Sequence, residues 1–333
     1  MKGLELSRRY YETVGRPALQ ARFGERFSRM AVGLVGEGSE CFGYDDAISA
    51  DHDYGPGFCI WLTGEDYRDI GEEVRRTYDG LPRAFMGVPP RVPSELSGQR
   101  VGVWEISSFY ARFVGPFQPP RTLKEWLYLR EDKLAEAVNG QVFSDPLGEF
   151  SRIRKELEAY YPEDVRIKKI AARCAVMAQA GQYNYPRCMR RGDTVAATLA
   201  LSEFLRAALS LMYLFNRTYC PYYKWQFHGL KQLSEKNLGT FCLPGVMFQL
   251  ERLVQAGSQT SAWEDMSRAG YDPYVNRLDE KMSLIEGICT SVVGELRNQG
   301  LTQGDDPFLQ THLPYIMDCI RDETIRACHV LEG

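Results

Sequence analysis

Every run with strand character in this chain lies in its first third, and from residue 145 onward the apolar residues recur at helical spacing. The runs are MAVGLVG at 30–36, FCIWLT at 58–63 and RVGVWEI at 100–106. They are short, rich in β-branched and aromatic residues, and separated by Gly- and Pro-containing segments, as strands of one sheet would be. Between the last two, EDYRDIGEEVRRTYDGL has helical spacing and a Gly exit, and PPRVPSELSGQ at 89–99 reads as a surface loop. Asp145-Pro146 predicts an N-cap and first helical residue, with Leu147, Phe150, Ile153 and Leu157 on one face up to Tyr160 and Tyr161. Further helices are predicted over 164–180, closed by Gly181, over 193–215 from Asp193, over 245–256, closed by Gly257, and near 274–299 and 307–331. Strands first and helices afterwards predict an α+β chain: a mixed sheet with flanking helices over 1–140, then an all-α bundle over 141–333.

Composition narrows the function classes. With 44% hydrophobic and 25% charged residues the chain reads as globular. A net charge of -4 and a pI near 5.8 argue against a protein that coats nucleic acid. The N-terminal MKGLELSRRYYETVGRPAL contains no apolar run of signal-peptide length. The nine cysteines are scattered without a Cys-x-x-Cys pair and read as reduced thiols in a cytoplasmic protein. The apolar stretch TVAATLALSEFLRAALSLMYLF is interrupted by Glu203 and Arg206, which favours a buried helix over a membrane span.

The segment GEGSECFGYDDAISADHDYGPGFCIWLT, 36–63, concentrates the chemistry. If Asp51 and Asp53 enter a strand, their alternate spacing turns both carboxylates to one face and His52 to the other, where it packs. Two adjacent carboxylates repel, and a hard divalent cation such as Mg²⁺ relieves that repulsion. Glu105, on a neighbouring strand, is the candidate third acid, as metal ligand or as acceptor of a proton. Gly36, Gly38 and Ser39 form a turn small enough to bring backbone N–H groups against a phosphate. An Asp-x-Asp after such a turn serves a solvated loop equally well. Farther on, Tyr222-Tyr223-Lys224-Trp225 combines a compact cation with a stacking surface, or else finishes a helical surface. Asn184, Arg187, Arg190, Arg191 and Asp193 offer an anion-binding turn or a merely solvated one. Asp145 reads as a helix cap, and Asp45 and Asp46 as turn residues. The four histidines are too dispersed for a zinc site, and neither a Ser-His-Asp set nor a dinucleotide-binding glycine fingerprint is present.

Gly38-Ser39, then Ser49-Ala50-Asp51-His52-Asp53 before an apolar strand, and later Glu105, together resemble the signature of the DNA polymerase β-type nucleotidyltransferase superfamily. More closely, GSECFGYDDAISADHDYGPG, VWEI, GQVFSDPLGEF and NRTYCPYYKW, spread over about 36–232, resemble the uncharacterised DUF4037 family. The usual glycine-serine pattern stands here as Gly36-Glu37-Gly38-Ser39, with an acidic residue inserted. The resemblance implies that Gly38 and Ser39 hold a triphosphate, that Asp51 and Asp53 ligate Mg²⁺, and that Glu105 fills the third acidic position. It also implies a helical second domain, as in kanamycin and streptomycin nucleotidyltransferases, that adds a Tyr and a Lys to the triphosphate, for which Tyr223 and Lys224 are the candidates; Asn184, Arg187 and Arg191, on their own chemistry, are the candidates for binding the acceptor. The expected activity is transfer of NMP, AMP from ATP by analogy, to a hydroxyl of a small molecule, with two Mg²⁺ ions for which Mn²⁺ can substitute. A protein or RNA acceptor is the alternative within that class. Outside it stand a nucleotide-binding regulator without chemistry and a helical interaction module.

Overall fold

The computed structural model describes residues 1–49, 53–92, 98–116, 118–257 and 279–333. It is a mixed α/β chain dominated by helices, with one four-stranded sheet of order β3-β2-β1-β4. The chain divides into two compact units, one of 1–121 and 130–160, the other of 122–129 and 161–333.

The first unit opens with α1 (Gly3–Tyr10), a π-helical turn (Tyr11–Gly15) and α2 (Arg16–Phe23). Next come β1 (Ala31–Leu34), the single turn α3 (Ser39–Phe42) and β2 (Cys59–Leu62). Then α4 (Gly64–Asp79) leads to β3 (Gly102–Glu105) and α5 (Ile106–Val114). The start of α4 is set locally, since the Thr63 side chain accepts the Asp66 N–H. After α6 (Leu123–Tyr128), which belongs to the second unit, the chain returns for α7 (Glu131–Val138), β4 (Gln141–Ser144) and α8 (Glu149–Glu158).

Strand alternation explains the layers. Val32, Ile60, Leu62 and Val103 pack with Tyr10, Leu19, Phe23, Ile70 and Val74, so one sheet face meets α1, α2 and α4. On the other face Trp61, fully buried, stacks on Phe150 of α8 at 3.9 Å between ring centroids and meets Phe109 of α5 edge-on at 5.2 Å. Both faces being covered, β1 and β2 are apolar throughout rather than alternating.

The sheet extends past the sequence boundary at 140. β4 pairs antiparallel with β1, Gly33 opposite Val142, and α8 covers the sheet, so the first unit runs to Tyr160. β4 was not among the expected strands: unlike β1 and β2 it is polar at both ends, Gln141 and Ser144, and only partly buried, so no apolar run marks it. Asp145 is not the N-cap expected of it, and Pro146 is not the first helical residue: α8 begins at Glu149 with Gly148 at its N-cap, and Asp145 instead accepts the Gly148 N–H at 3.0 Å and the Ser151 N–H at 2.8 Å from the preceding turn.

In the second unit, α6 carries a complete capping box between Thr122 and Glu125. Its main helices are α9 (Glu163–Met177), α10 (Tyr185–Arg190), α11 (Thr194–Phe215), α12 (Gln226–Lys236), α13 (Pro244–Gln255) and the helix Glu280–Asn298. Asp193 caps α11 through the Ala196 N–H at 2.9 Å, as its position implied. Gly181 does not close α9. It lies buried in a π-helical stretch, Ala178–Asn184, where a Cβ would meet the Phe204 ring at 2.3 Å, so close approach of a neighbouring helix explains the glycine. The single helix expected over 307–331 is instead three short pieces, Leu309–His312, Leu313–Asp318 and Glu323–Arg326, the last started by an Asp322 cap. α11 is long and apolar enough to cross a membrane by length and composition. It packs against α9 and α10, with Glu203 and Arg206 on its exposed side.

Candidate functional site

The register gathers one set of residues at a single sheet edge. β1 and β2 are antiparallel, with Gly33 opposite Cys59, and β2 and β3 are parallel, with Cys59 opposite Gly102. The exit of β1 therefore lies beside the entrances of β2 and β3. At that edge Gly38, Ser39, Glu40, Asp45, Ser49, Asp53, Tyr54 and Arg100 line a cavity of about 20 Å³. Such a volume holds one water or a bare ion.

The loop after β1 is glycine-shaped. Gly36 and Gly38 have φ of 116° and 117°, which side chains rarely adopt. Asn139 fastens Gly36 at both its N–H and its C=O, each at 2.8 Å. Glu37 points away into a basic pair, 2.9 Å from Lys133 Nζ and 3.7 Å from Arg112. Burial opposes its ionisation, but the Lys133 hydrogen bond and the charges of Lys133, Arg112 and Arg100 prevail and hold its carboxyl below the usual range. The acidic residue inserted in the Gly-Glu-Gly-Ser pattern is thereby neutralised.

Asp53 is buried and sits in a left-handed conformation, φ 52°, which Asp tolerates better than most residues. It precedes Tyr54-Gly55-Pro56-Gly57 and lies outside β2, so the expected strand alternation around Asp53 does not apply: the Gly and Pro residues break extended pairing before Cys59. Asp51 and His52 lie outside the described residues. Two contacts fix the Asp53 backbone: its N–H donates to the Val92 carbonyl at 3.2 Å, and Arg91 donates to its carbonyl. Arg91 is itself held by Glu40 in a two-point pair of 2.6 and 3.2 Å, and it also donates to the Gly55 carbonyl at 2.9 Å. Burial disfavours the Arg91 cation, yet Glu40 outweighs this and raises its pKa above the ordinary arginine value.

Arg100 NH2 lies 3.4 Å from Asp53 Oδ2. Asp45 accepts the Gly3 N–H on Oδ2 at 2.7 Å, while its buried Oδ1 makes no hydrogen bond and faces Lys2 Nζ at 3.7 Å. Asp46 lies outside the cavity lining, in a turn in which it accepts the Ser49 hydroxyl at 2.7 Å.

Glu105 is elsewhere. It is paired with Leu62 at the far end of β2, and three residues of extended chain, about 10 Å, separate it from Gly102. Its carboxylate accepts the Ser108 hydroxyl at 2.9 Å at the start of α5. The residue that β3 delivers to the Gly38 and Asp53 edge is Arg100, which no motif spacing singled out.

The remaining candidates belong to the second unit. Tyr223 and Lys224 are exposed in a short 3-10 turn, with Tyr222 and Tyr223 rings 4.5 Å apart and Lys224 Nζ 5.3 Å from the Trp225 ring. Asn184 is exposed at the end of the π-helical stretch, Arg187 lies 3.9 Å over the Tyr183 ring, and Arg191 is exposed just after α10. Such π-helical segments occur often at functional positions, a signal that helical periodicity does not carry. Among the described residues no group of three His, Cys, Asp or Glu is placed to hold a metal.

A family model described as a domain of unknown function (DUF4037) matches residues 126–226. That interval contains Asn184, Arg187, Arg191, Tyr223 and Lys224 and stops short of Gly38, Ser39, Asp51, Asp53 and Glu105. No curated protein and no solved structure matches the chain.

Proposed function

We propose that the chain is a Mg²⁺-dependent nucleotidyltransferase that moves NMP, AMP from ATP by analogy, to a hydroxyl of a small cytoplasmic molecule. The observation that supports it best is the convergence of Gly38, Ser39 and Asp53 on one cavity, through the antiparallel register of β1 and β2. In this reading the acceptor oxygen bonds to the α-phosphorus, the α–β bridging bond breaks, and pyrophosphate leaves. The backbone at Gly38 and Ser39 holds the phosphates.

The donors fit a hard divalent cation. The Asp45 and Asp53 carboxylates are hard oxygen donors, the Ser39, Ser49 and Tyr54 residues of the lining add hydroxyls, and Asp45 Oδ1 is buried without a hydrogen bond, 3.7 Å from Lys2 Nζ. Asp53, with Asp51 from outside the described residues, would hold Mg²⁺, which when bound offsets charge on the transferring phosphate. Glu105 has no part here, because it stands at the opposite end of β3.

Pyrophosphate release from each nucleoside triphosphate across a panel of hydroxyl acceptors tests the proposal. Release that requires Mg²⁺ and disappears in Asp53→Asn is expected, while undiminished release by Asp53→Asn would overturn it. The distance of Glu105 from the cavity favours one other reading, a nucleotide-binding regulator without chemistry. That reading predicts Mg²⁺-dependent nucleotide binding with no pyrophosphate released under any acceptor.

A further inference from the structure

Two arginines touch residues of the cavity lining, Arg91 through Glu40 and Arg100 through Asp53, and they are held very differently. Arg91 is almost completely buried, makes a two-point pair with Glu40, and donates to two backbone carbonyls. Its task is spent inside the fold. The Arg100 side chain keeps 25% of its surface exposed and touches Asp53 at 3.4 Å, beyond the usual length of a charge-assisted hydrogen bond. Its Nε makes no hydrogen bond, as is also true of Arg91, so the difference between the two lies in their terminal nitrogens and exposure. Its backbone, in contrast, is anchored: the carbonyl accepts the Cys59 thiol at 3.2 Å, and two residues later the Gly102 N–H donates to Phe58 at 3.0 Å. The guanidinium lies over Gly38, where a Cβ would stand 3.3 Å from NH1.

We infer that Arg100 is an oligophosphate-binding residue at this sheet edge, beside the small cavity, held by Asp53 until a phosphate chain replaces that carboxylate as its partner. The inference rests on the nucleotide reading of the same site and adds the residue and the exchange. A planar fork with unused donors, on a fixed backbone and beside a glycine turn, suits bidentate phosphate contact. No covalent step is involved.

Calorimetric titration of tripolyphosphate and of a non-hydrolysable ATP analogue, each with Mg²⁺ and with chelator, tests this in wild type, Arg100→Gln, Arg100→Lys, Asp53→Asn and the Arg100→Gln/Asp53→Asn double variant. Circular dichroism checks that each is folded, and Arg100→Lys preserves the charge if the Gln variant does not fold. Arg100→Gln is expected to weaken tripolyphosphate about 10-fold or more, as loss of a charge-assisted contact does. Arg100→Lys should lose less. With chelator, Asp53→Asn should bind tripolyphosphate more tightly than wild type, because the competing carboxylate is gone, and the gain should vanish in the double variant. Equal binding by wild type and Arg100→Gln, or a gain that survives in the double variant, overturns the role of Arg100 and leaves the nucleotide reading standing. Absence of binding to either probe in wild type overturns both.

Discussion

At the scale of single residues, the site is held by paired opposite charges. Glu40 and Arg91 are both nearly inaccessible and form a two-point ion pair. Removing one partner of such a pair strands a buried charge, at a typical cost of about 3–5 kcal/mol, whereas replacing both costs far less. Arg91→Met should therefore destabilise the first unit by an amount in that range and loosen Asp53, whose carbonyl it holds, and Glu40→Gln combined with Arg91→Met should recover part of the loss. Chemical denaturation followed by tryptophan fluorescence measures both, since Trp61 is buried in that unit. A double variant no more stable than Arg91→Met would show the pair to be uncoupled.

At the scale of elements, legibility followed local chemistry. α4 was readable from its helical spacing and Gly exit, and α11 because Asp193 caps it with its own side chain, whereas the Thr63 cap of α4 lay at the end of a run read as strand. The positions of β1, β2 and β3 were readable because each run is apolar and punctuated. β4 was not, for its four residues become a strand by pairing with β1, a long-range fact. Register hid the site in the same way: Asp53 and Gly38 were legible as neighbours through their motif, but whether β3 delivers Glu105 or Arg100 to them depends on the parallel pairing of Cys59 with Gly102. One helix start carries a pH prediction. Glu163, at the head of α9, is held by Arg166 at 2.6 Å and Arg217 at 2.9 Å. The Arg166 hydrogen bond, against some opposition from burial and with help from Arg217, lowers its pKa from 4.5 to about 2. A depressed carboxyl pKa contributes stability that is complete above about 4.5 and is lost as pH falls toward about 2. Because Glu163 is half-exposed, screening limits its contribution to about 1 kcal/mol or less. Glu163→Gln should lower the melting temperature slightly at neutral pH and leave it unchanged relative to wild type near pH 2. An equal difference at both pH values would contradict the assignment.

At the scale of the whole molecule, a sheet unit and a helical unit share the chain, and the interval matched by the DUF4037 family includes residues of both. The proposed triphosphate and metal residues lie in the sheet unit outside that interval, so the nucleotide reading depends on the sheet edge itself. Its most direct test is calorimetric titration of non-hydrolysable ATP, GTP, CTP and UTP analogues, with and without Mg²⁺, into wild type, Asp53→Asn and Glu105→Gln. The account predicts Mg²⁺-dependent binding of at least one analogue, weakened about 10-fold or more by Asp53→Asn, as loss of a charged ligand contact implies, and unchanged in Glu105→Gln. Wild-type protein that binds none of the four with Mg²⁺ present would contradict it.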